Sequence, residues 1–215
     1  MKYLSAFFSF IRKTIAIVGF VSFLAVTTSS CKTLGYKLIG VKQLSGFDKK
    51  VYDGFLQKLP DVDYVDIVSN AEQFRSVMKI SLDSTIRHSL YQPIQILYFH
   101  KNDLVSYHIN CTVPSKGFDL DWNYQGRFDS FPPVSPIEIK DYSLSLVDYR
   151  NIYLEIAENN GYCVVVFWTN MLYKFSRSAI LTVIENIKCC APNLDVKLYF
   201  INNDIFFSGA NIQNF

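Results

Sequence analysis

The sequence predicts a mixed α/β fold, and three observations support that class. An apolar run at 162–168, Tyr-Cys-Val-Val-Val-Phe-Trp, is typical of a buried strand. A helix-like segment and a second apolar run at 196–201, Val-Lys-Leu-Tyr-Phe-Ile, follow it, and such a unit closes into a right-handed parallel pair of strands. The chain has 215 residues, 50% apolar and 19% charged, which is enough for one sizeable domain or two small ones.

The first thirty residues have the pattern of a secretory signal peptide. Positive residues end at Arg12 and Lys13, and small residues occupy 27–30. Between them, 14–26 is an apolar run shorter than the roughly 20 residues of a transmembrane helix. Cys31 follows directly, and this arrangement resembles the lipobox of bacterial lipoproteins. Thr28 stands where that pattern usually has Leu, a relaxed form typical of Bacteroidota.

The lipobox resemblance implies cleavage before Cys31 and attachment of lipid to that residue, which then anchors the protein in a membrane. Lys32 rather than Asp follows the cysteine, and 32–37 contains no acidic cluster. In this family the pattern implies an outer-membrane lipoprotein that faces the periplasm. The alternative is an ordinary signal peptide with Cys31 unmodified.

The charge balance argues against a nucleic-acid partner. Three of the 21 basic residues lie in the first thirty positions, and the remaining 18 are matched by 19 acidic residues. No broad basic field remains. The expected partners are the membrane, through the N-terminal lipid, and another envelope protein or a peptide.

Residues 31–45 are predicted to be a tether, and 46–215 a single α/β domain with a sub-boundary near 134–140. The first predicted helix covers 46–59, where apolar residues recur at four-residue spacing and Pro60 ends the helix. A strand is predicted within 61–68. Asn70 is expected to cap a helix over 71–79 with Phe74 and Met78 on one face, and 81–90 is a further short helix or a loop.

A β-hairpin is the clearest element of the central region. Residues 94–100 and 104–113 are strand-like, and Lys101-Asn102-Asp103 between them suits a tight turn. Residues 118–136 are aromatic, polar and rich in proline, and they are predicted to be irregular. Tyrosine and isoleucine pairs at four-residue spacing then predict a helix over 148–160.

The segment Val164-Val165-Val166-Phe167-Trp168-Thr169 resembles the strand that delivers the active site in thioredoxin-like proteins. Residues 175–187 then correspond to the helix after that strand, and 196–204 to the next parallel strand. In that family the two redox cysteines occupy the positions that are Leu172 and Phe175 in this chain. Neither residue can form a thiolate, so the resemblance predicts a fold without the redox activity. The upstream hairpin is predicted to complete the sheet.

Other chemistry receives little support from the sequence, and neither a cofactor nor a metal is expected. Asp119-x-Asp121-x-Asn123 begins like a calcium loop, but Tyr124 and Ser130 replace its glycine and glutamate. The histidines are not expected to converge; they are His88, His100 and His108. Beyond Cys31 there are four cysteines, which allow three disulfide pairings, and they are Cys111, Cys163, Cys189 and Cys190.

The predicted function is therefore a non-catalytic binding or assembly role in the cell envelope. Four aromatic residues are candidates for a binding surface, with burial in the core as the alternative for them: Trp168, Trp122, Tyr124 and Phe128. One alternative function is a thiol–disulfide oxidoreductase that uses Cys163, Cys189 or Cys190. Another is an envelope hydrolase. Its catalytic carboxylates would come from Asp119, Asp121 or Asp129.

Overall fold

The computed structural model of the chain describes residues 40–209. The predicted signal peptide, the predicted lipidation site Cys31 and the first part of the predicted tether lie outside these residues. The chain divides into two compact units, Met1–Val41 and Lys42–Phe215. Only Gly40 and Val41 of the first unit are described. Among residues 40–209, no helix is both long enough and apolar enough to span a membrane.

The second unit contains a five-stranded sheet and a separate two-stranded one. The main sheet is formed by β1 (Val65–Val68), β2 (Gln95–His100), β3 (Asp103–Ile109), β6 (Tyr162–Trp168) and β7 (Val196–Asn202). The small sheet is a hairpin of β4 (Ser115–Lys116) and β5 (Asp119–Leu120). The helices are α1 (Lys49–Leu56), α2 (Ala71–Met78), α3 (Ser84–Leu90), α4 (Leu146–Ile152), α5 (Tyr173–Cys190) and α6 (Asp204–Gly209).

The strand order of the main sheet is β1-β7-β6-β2-β3. Strands β1, β7 and β6 are mutually parallel, with Val165 of β6 opposite Tyr199 of β7. The predicted α/β class and the predicted strand–helix–strand unit of β6, α5 and β7 are therefore confirmed. The thioredoxin-like character of this unit stays a prediction.

The prediction that the upstream hairpin completes the sheet is also confirmed. Strand β2 pairs antiparallel with β6, and Leu97 lies opposite Val165. Strand β3 then pairs antiparallel with β2. Strands from before and after residues 134–140 therefore share one sheet.

Both faces of the sheet are covered, which explains why almost every residue of β6 is buried. On one face Trp168 stacks on Phe55 of α1, and Tyr98 donates a hydrogen bond to Asn186 of α5 (3.2 Å). On the other face Phe167 contacts Phe74 of α2 and the tyrosines of the α4 region.

The helix predicted over 46–59 forms only as the eight residues of α1. Asp48 caps its start by accepting hydrogen bonds from the backbone N–H groups of Lys50 and Val51. Its buried side chains are Tyr52 and Phe55, whereas Val51 is exposed. In α2 the predicted cap is confirmed, because Asn70 and Gln73 form a capping box.

The helix predicted over 148–160 is wrong in its second half. Ser145 and Asp148 form a capping box that starts α4 at Leu146, and the helix ends at Ile152. Tyr153 then adopts an extended conformation and its hydroxyl contacts the Ser69 hydroxyl (2.9 Å). Further along, the Asn159 side chain accepts a hydrogen bond from the backbone N–H of Gly161 and donates one to the backbone carbonyl of Tyr162. Such side-chain-to-backbone bonds compete with the hydrogen bonds of a helix.

Candidate functional site

The carboxyl ends of the parallel strands carry a cluster of buried polar side chains. Because these ends lie at one edge of the sheet, side chains that follow the strands come together there. We call this cluster the carboxyl edge. Its members are Ser69 after β1, Thr169 and Asn170 after β6, and Asn202, Asn203 and Asp204 at the end of β7.

Asp204 is the centre of the carboxyl edge. Its Oδ1 accepts hydrogen bonds from the Thr169 hydroxyl and the Asn170 backbone N–H, and its Oδ2 accepts one from the Asn170 side-chain amide, each at 2.7 Å. The residue is 2% exposed. Three short hydrogen bonds compensate part of the cost of burying it, and they fix the loop between β6 and α5.

The carboxyl edge also concentrates hydrogen-bonding groups that have no partner. Within residues 40–209, seven buried side-chain nitrogen or oxygen atoms lack one; four of them belong to the carboxyl edge, and a fifth is on the neighbouring Trp168, the last residue of β6. They are Trp168 Nε1, Asn170 Oδ1, Asn202 Nδ2, and both Nδ2 and Oδ1 of Asn203. Each such group costs free energy, so a concentration of them marks a place that packing alone does not explain. The available chemistry is hydrogen bonding by neutral amides.

Trp168 is buried rather than exposed, so the structure does not support it as part of a binding surface. Its ring is nearly parallel to those of Phe55 (ring centroids 4.0 Å apart) and Tyr52 (ring centroids 5.6 Å apart). Both rings come from α1, and Tyr52 is held in turn by its hydroxyl, which donates to Asp66 (2.7 Å). Trp168 is therefore an aromatic residue of the core, which was the alternative to a binding role for it.

Trp122 and Phe128 are also buried, and they fasten the irregular segment 118–136 to the domain. Phe128 lies beside His108 (ring centroids 4.6 Å apart). Asn186 of α5 donates hydrogen bonds to the backbone carbonyls of Phe128 (2.7 Å) and Ser130 (2.8 Å). These two rings therefore anchor the segment and leave no exposed face for a ligand.

Tyr124 is the one predicted surface ring that is exposed, and the guanidinium of Arg127 lies 5.5 Å from its centroid. The same segment exposes Phe118 (72%) and Val134 (62%). Phe118 follows Gly117, whose positive φ of 63° makes the tight turn between β4 and β5. We call Phe118, Tyr124 and Val134 the displayed side chains. The sequence pattern did not distinguish Phe118 and Val134 from buried residues, because exposure depends on which side chains pack in the core.

The cysteines proposed for thiol chemistry lie in two places. Cys163 is buried in β6, and this burial raises the pKa of its thiol to about 12. Cys189 and Cys190 end α5, with their Sγ atoms 2.7 Å apart. Cys190 shares a hydrogen bond with Cys189 that favours the protonated Cys190 thiol, and this bond, with a smaller effect of burial, raises the pKa of Cys190 to about 11. A redox thiol needs a lowered pKa, so both shifts disfavour nucleophilic thiolates.

Two of the three carboxylates proposed for hydrolysis, those of Asp119 and Asp129, are engaged within their own segment. Asp119 accepts a hydrogen bond from the backbone N–H of Leu120 (2.8 Å), and Asp129 accepts one from the Asn123 amide (2.9 Å). His108 is buried, and its Nε2 lies 3.0 Å from the Ser106 hydroxyl. In the part of the chain that is described, no group of three or more His, Cys, Asp or Glu side chains is placed to hold a metal ion.

The carboxyl edge is the part of the structure that sequence reasoning did not identify. Its signal was present as two polar stretches, Thr169-Asn170 directly after β6 and Asn202-Asn203-Asp204 beginning at the last residue of β7. Comparison with known proteins gives no independent guide to this site. No protein family model, curated protein or solved structure matches this chain.

Proposed function

We propose that this protein is a lipid-anchored cell-envelope protein with a non-catalytic binding or assembly role. The observation that carries the proposal is the segment 118–136, which is fastened to the core and yet presents apolar side chains outward. Binding residues are often found on loops that a rigid scaffold positions. The displayed side chains Phe118, Tyr124 and Val134 fit that arrangement.

The way in which the segment is held favours binding over a merely disordered loop. Trp122 and Phe128 are buried, and Asn186 bonds two backbone carbonyls of the segment. Binding by a surface that is already ordered avoids much of the entropic cost of ordering it. An aromatic ring such as Tyr124 supplies a large contact area together with a polar hydroxyl.

The geometry of the carboxyl edge supports a role without catalysis. Ligands of open α/β sheets usually bind beyond the carboxyl ends of the strands. In this protein Asp204 is buried there and fully engaged, and Trp168 is covered by the two rings of α1. Leu172 and Phe175 occupy the positions where the thioredoxin-like resemblance would require cysteines.

The envelope location rests on the signal-peptide pattern and on Cys31, and it can be tested by intact mass. We expect the purified native protein to begin at Cys31 and to carry lipid at that residue. A chain that begins elsewhere, or one with an unmodified Cys31, would refute the anchor. Alkylation of the same sample without reductant shows which of the remaining four cysteines are free thiols.

The binding role can be tested by site-specific photo-crosslinking in cells that naturally produce the protein. A photoreactive amino acid at position 118 or 124 should give a discrete crosslinked species with a second envelope component. Position 154 is the matched control, because Leu154 is 88% exposed but lies outside the segment. Crosslinks that are equally abundant at 154, or absent at both 118 and 124, would contradict the proposal.

A further inference from the structure

We infer that Cys189 and Cys190 form a two-sulfur site that chelates one soft, thiophilic metal or metalloid ion. The two residues are adjacent at the carboxyl end of α5, and their Sγ atoms lie 2.7 Å apart. Neighbouring side chains on a helix normally diverge, because successive residues are about 100° apart around the axis. Here the two sulfurs converge, which places both within reach of one ion.

The surroundings hold one sulfur and leave the other accessible. Cys190 is half-buried, and its Sγ lies 3.5 Å from the backbone oxygen of Asp129 and 3.9 Å from that of Phe128. Cys189 is exposed and lines a shallow hollow of about 480 Å³ with Pro60 and Ile184. An ion can therefore approach from the side of Cys189, while Cys190 is positioned by the segment 118–136.

A bridging ion suits this pair better than a disulfide does. The Cα atoms of adjacent residues are about 3.8 Å apart, whereas disulfide-bonded residues usually have Cα atoms about 4.4–6.8 Å apart. An ion bound to both sulfurs requires no bond between them. Because Cys189 is exposed, its side chain can rotate to adjust the gap between the sulfurs.

The class of ion follows from the two ligands, which are both soft sulfur atoms. Thiolates select soft ions over hard ones such as magnesium or calcium. With two protein ligands, the ion must keep a substituent or an exogenous ligand at each remaining position. Once one sulfur has bound, the second bond forms within the same molecule and at a high effective concentration.

Phenylarsine oxide is a suitable probe, since its arsenic has one organic substituent and two positions for sulfur. In the reaction the two S–H bonds and the As–O bonds break and two As–S bonds form. The two protons leave with the oxygen as one water molecule. Arsenic remains trivalent throughout, so no oxidant or reductant is needed.

The experiment is intact-mass analysis of the full-length, reduced protein after treatment with phenylarsine oxide and excess glutathione. Glutathione, a monothiol, removes arsenic held by one sulfur, so only a chelate should survive. We expect one adduct for the unchanged protein and for Cys111→Ser, which removes an exposed cysteine outside the pair. Cys189→Ser and Cys190→Ser should each reduce the adduct by more than about tenfold, because loss of even a group that only orients a ligand costs about 10- to 100-fold in metal affinity.

Three outcomes would overturn the inference. They are no surviving adduct on the unchanged protein, an adduct that persists in either serine variant of the pair, and loss of the adduct in Cys111→Ser. Circular dichroism of each variant checks that the fold is intact. If Cys190→Ser disturbs the end of α5, Cys189→Ser alone decides the question, because that side chain is exposed.

Discussion

At the scale of single residues, Asp204 is the clearest case of a buried charge retained for structure. Its carboxylate receives three hydrogen bonds of 2.7 Å from Thr169 and Asn170, and no salt bridge among residues 40–209 involves it. The sequence alone indicates a polar residue after a strand. It does not reveal the burial, because the partners of Asp204 are Thr169 and Asn170, which lie 35 and 34 residues away in the chain.

We predict that Asp204→Ala lowers the free energy of unfolding by about 3 kcal/mol or more, because buried donors left unpaired cost about 1–3 kcal/mol each and do not add fully. Asp204→Asn should also destabilise the folded protein, since the new side-chain N–H₂ group would face partners that themselves donate hydrogen bonds. Urea unfolding provides the measurement. Asp63→Asn, at an exposed position, is the control and should leave the free energy of unfolding nearly unchanged. Equal effects at 63 and 204 would contradict this account.

His108 should make the stability depend on pH in a defined window. Burial, with a smaller contribution from the charge of Arg127, lowers the pKa of His108 from 6.5 to about 3. Above pH 6.5 the imidazole is neutral in both the folded and the unfolded chain. As the pH falls below 6.5, only the unfolded chain binds the proton, so stability is lost progressively down to about pH 3.

The free energy of unfolding should fall, through this one histidine, by up to about 1.4 kcal/mol per pH unit within that window. We expect His108→Gln to show a weaker decline of the free energy of unfolding than the unchanged protein between pH 6 and 4 (about the middle of the window). His88→Gln, at an exposed position, should keep the original slope. Identical slopes for His108→Gln and the unchanged protein would show that the histidine is not responsible.

At the scale of elements, α1 is held to the sheet mainly by aromatic stacking. Phe55 lies 4.0 Å from Trp168 by ring centroids and also meets Tyr173 edge-on. Phe55→Ala should therefore cost about 3–5 kcal/mol, as is usual for a buried phenylalanine. Val51→Ala on the same helix is the control, and its cost should stay within about 0.5 kcal/mol because Val51 is exposed. A Val51→Ala effect as large as that of Phe55→Ala would refute the role of the stack.

The elements differ in how well the sequence predicts them. Continuous apolar runs such as β6 were predicted correctly, since a short apolar run rich in valine and aromatic residues is typical of a buried strand, and six of the seven residues of β6 are buried. The helix over 148–160 was overextended, because four-residue spacing of Tyr149 and Tyr153 suits a helix, yet Tyr153 leaves it to reach Ser69. That contact depends on β1, which is distant in the chain. Tertiary structure overrode a local pattern here.

The candidate binding residues show the same limitation. Trp122, Tyr124 and Phe128 lie within seven residues of one another, and the sequence gives no means of telling an anchor from a displayed ring. Only Tyr124 faces outward, whereas Trp122 and Phe128 are buried and the Phe128 ring packs against His108. Burial of an aromatic in an irregular segment depends on partners that local periodicity does not encode.

At the scale of the whole molecule, the strand order has a consequence for folding. Strands β2 and β3 come from the first half of the unit, whereas β6 and β7 come from its end, and β2 pairs directly with β6. The segment 118–136 is bonded to α5 through Asn186. We therefore expect residues 42–209 to unfold as one cooperative unit, with no separate transition on either side of residues 134–140.

The two tryptophans make this expectation testable. Trp168→Phe leaves Trp122, which reports on the segment 118–136, and Trp122→Phe leaves Trp168, which reports on β6. In each variant the urea transition followed by fluorescence should coincide with the transition followed by far-ultraviolet circular dichroism of the same variant. Because each variant is compared only with itself, a general loss of stability does not affect the result. A fluorescence change of Trp122 that precedes the loss of secondary structure would instead identify the segment as a separately unfolding part of the protein.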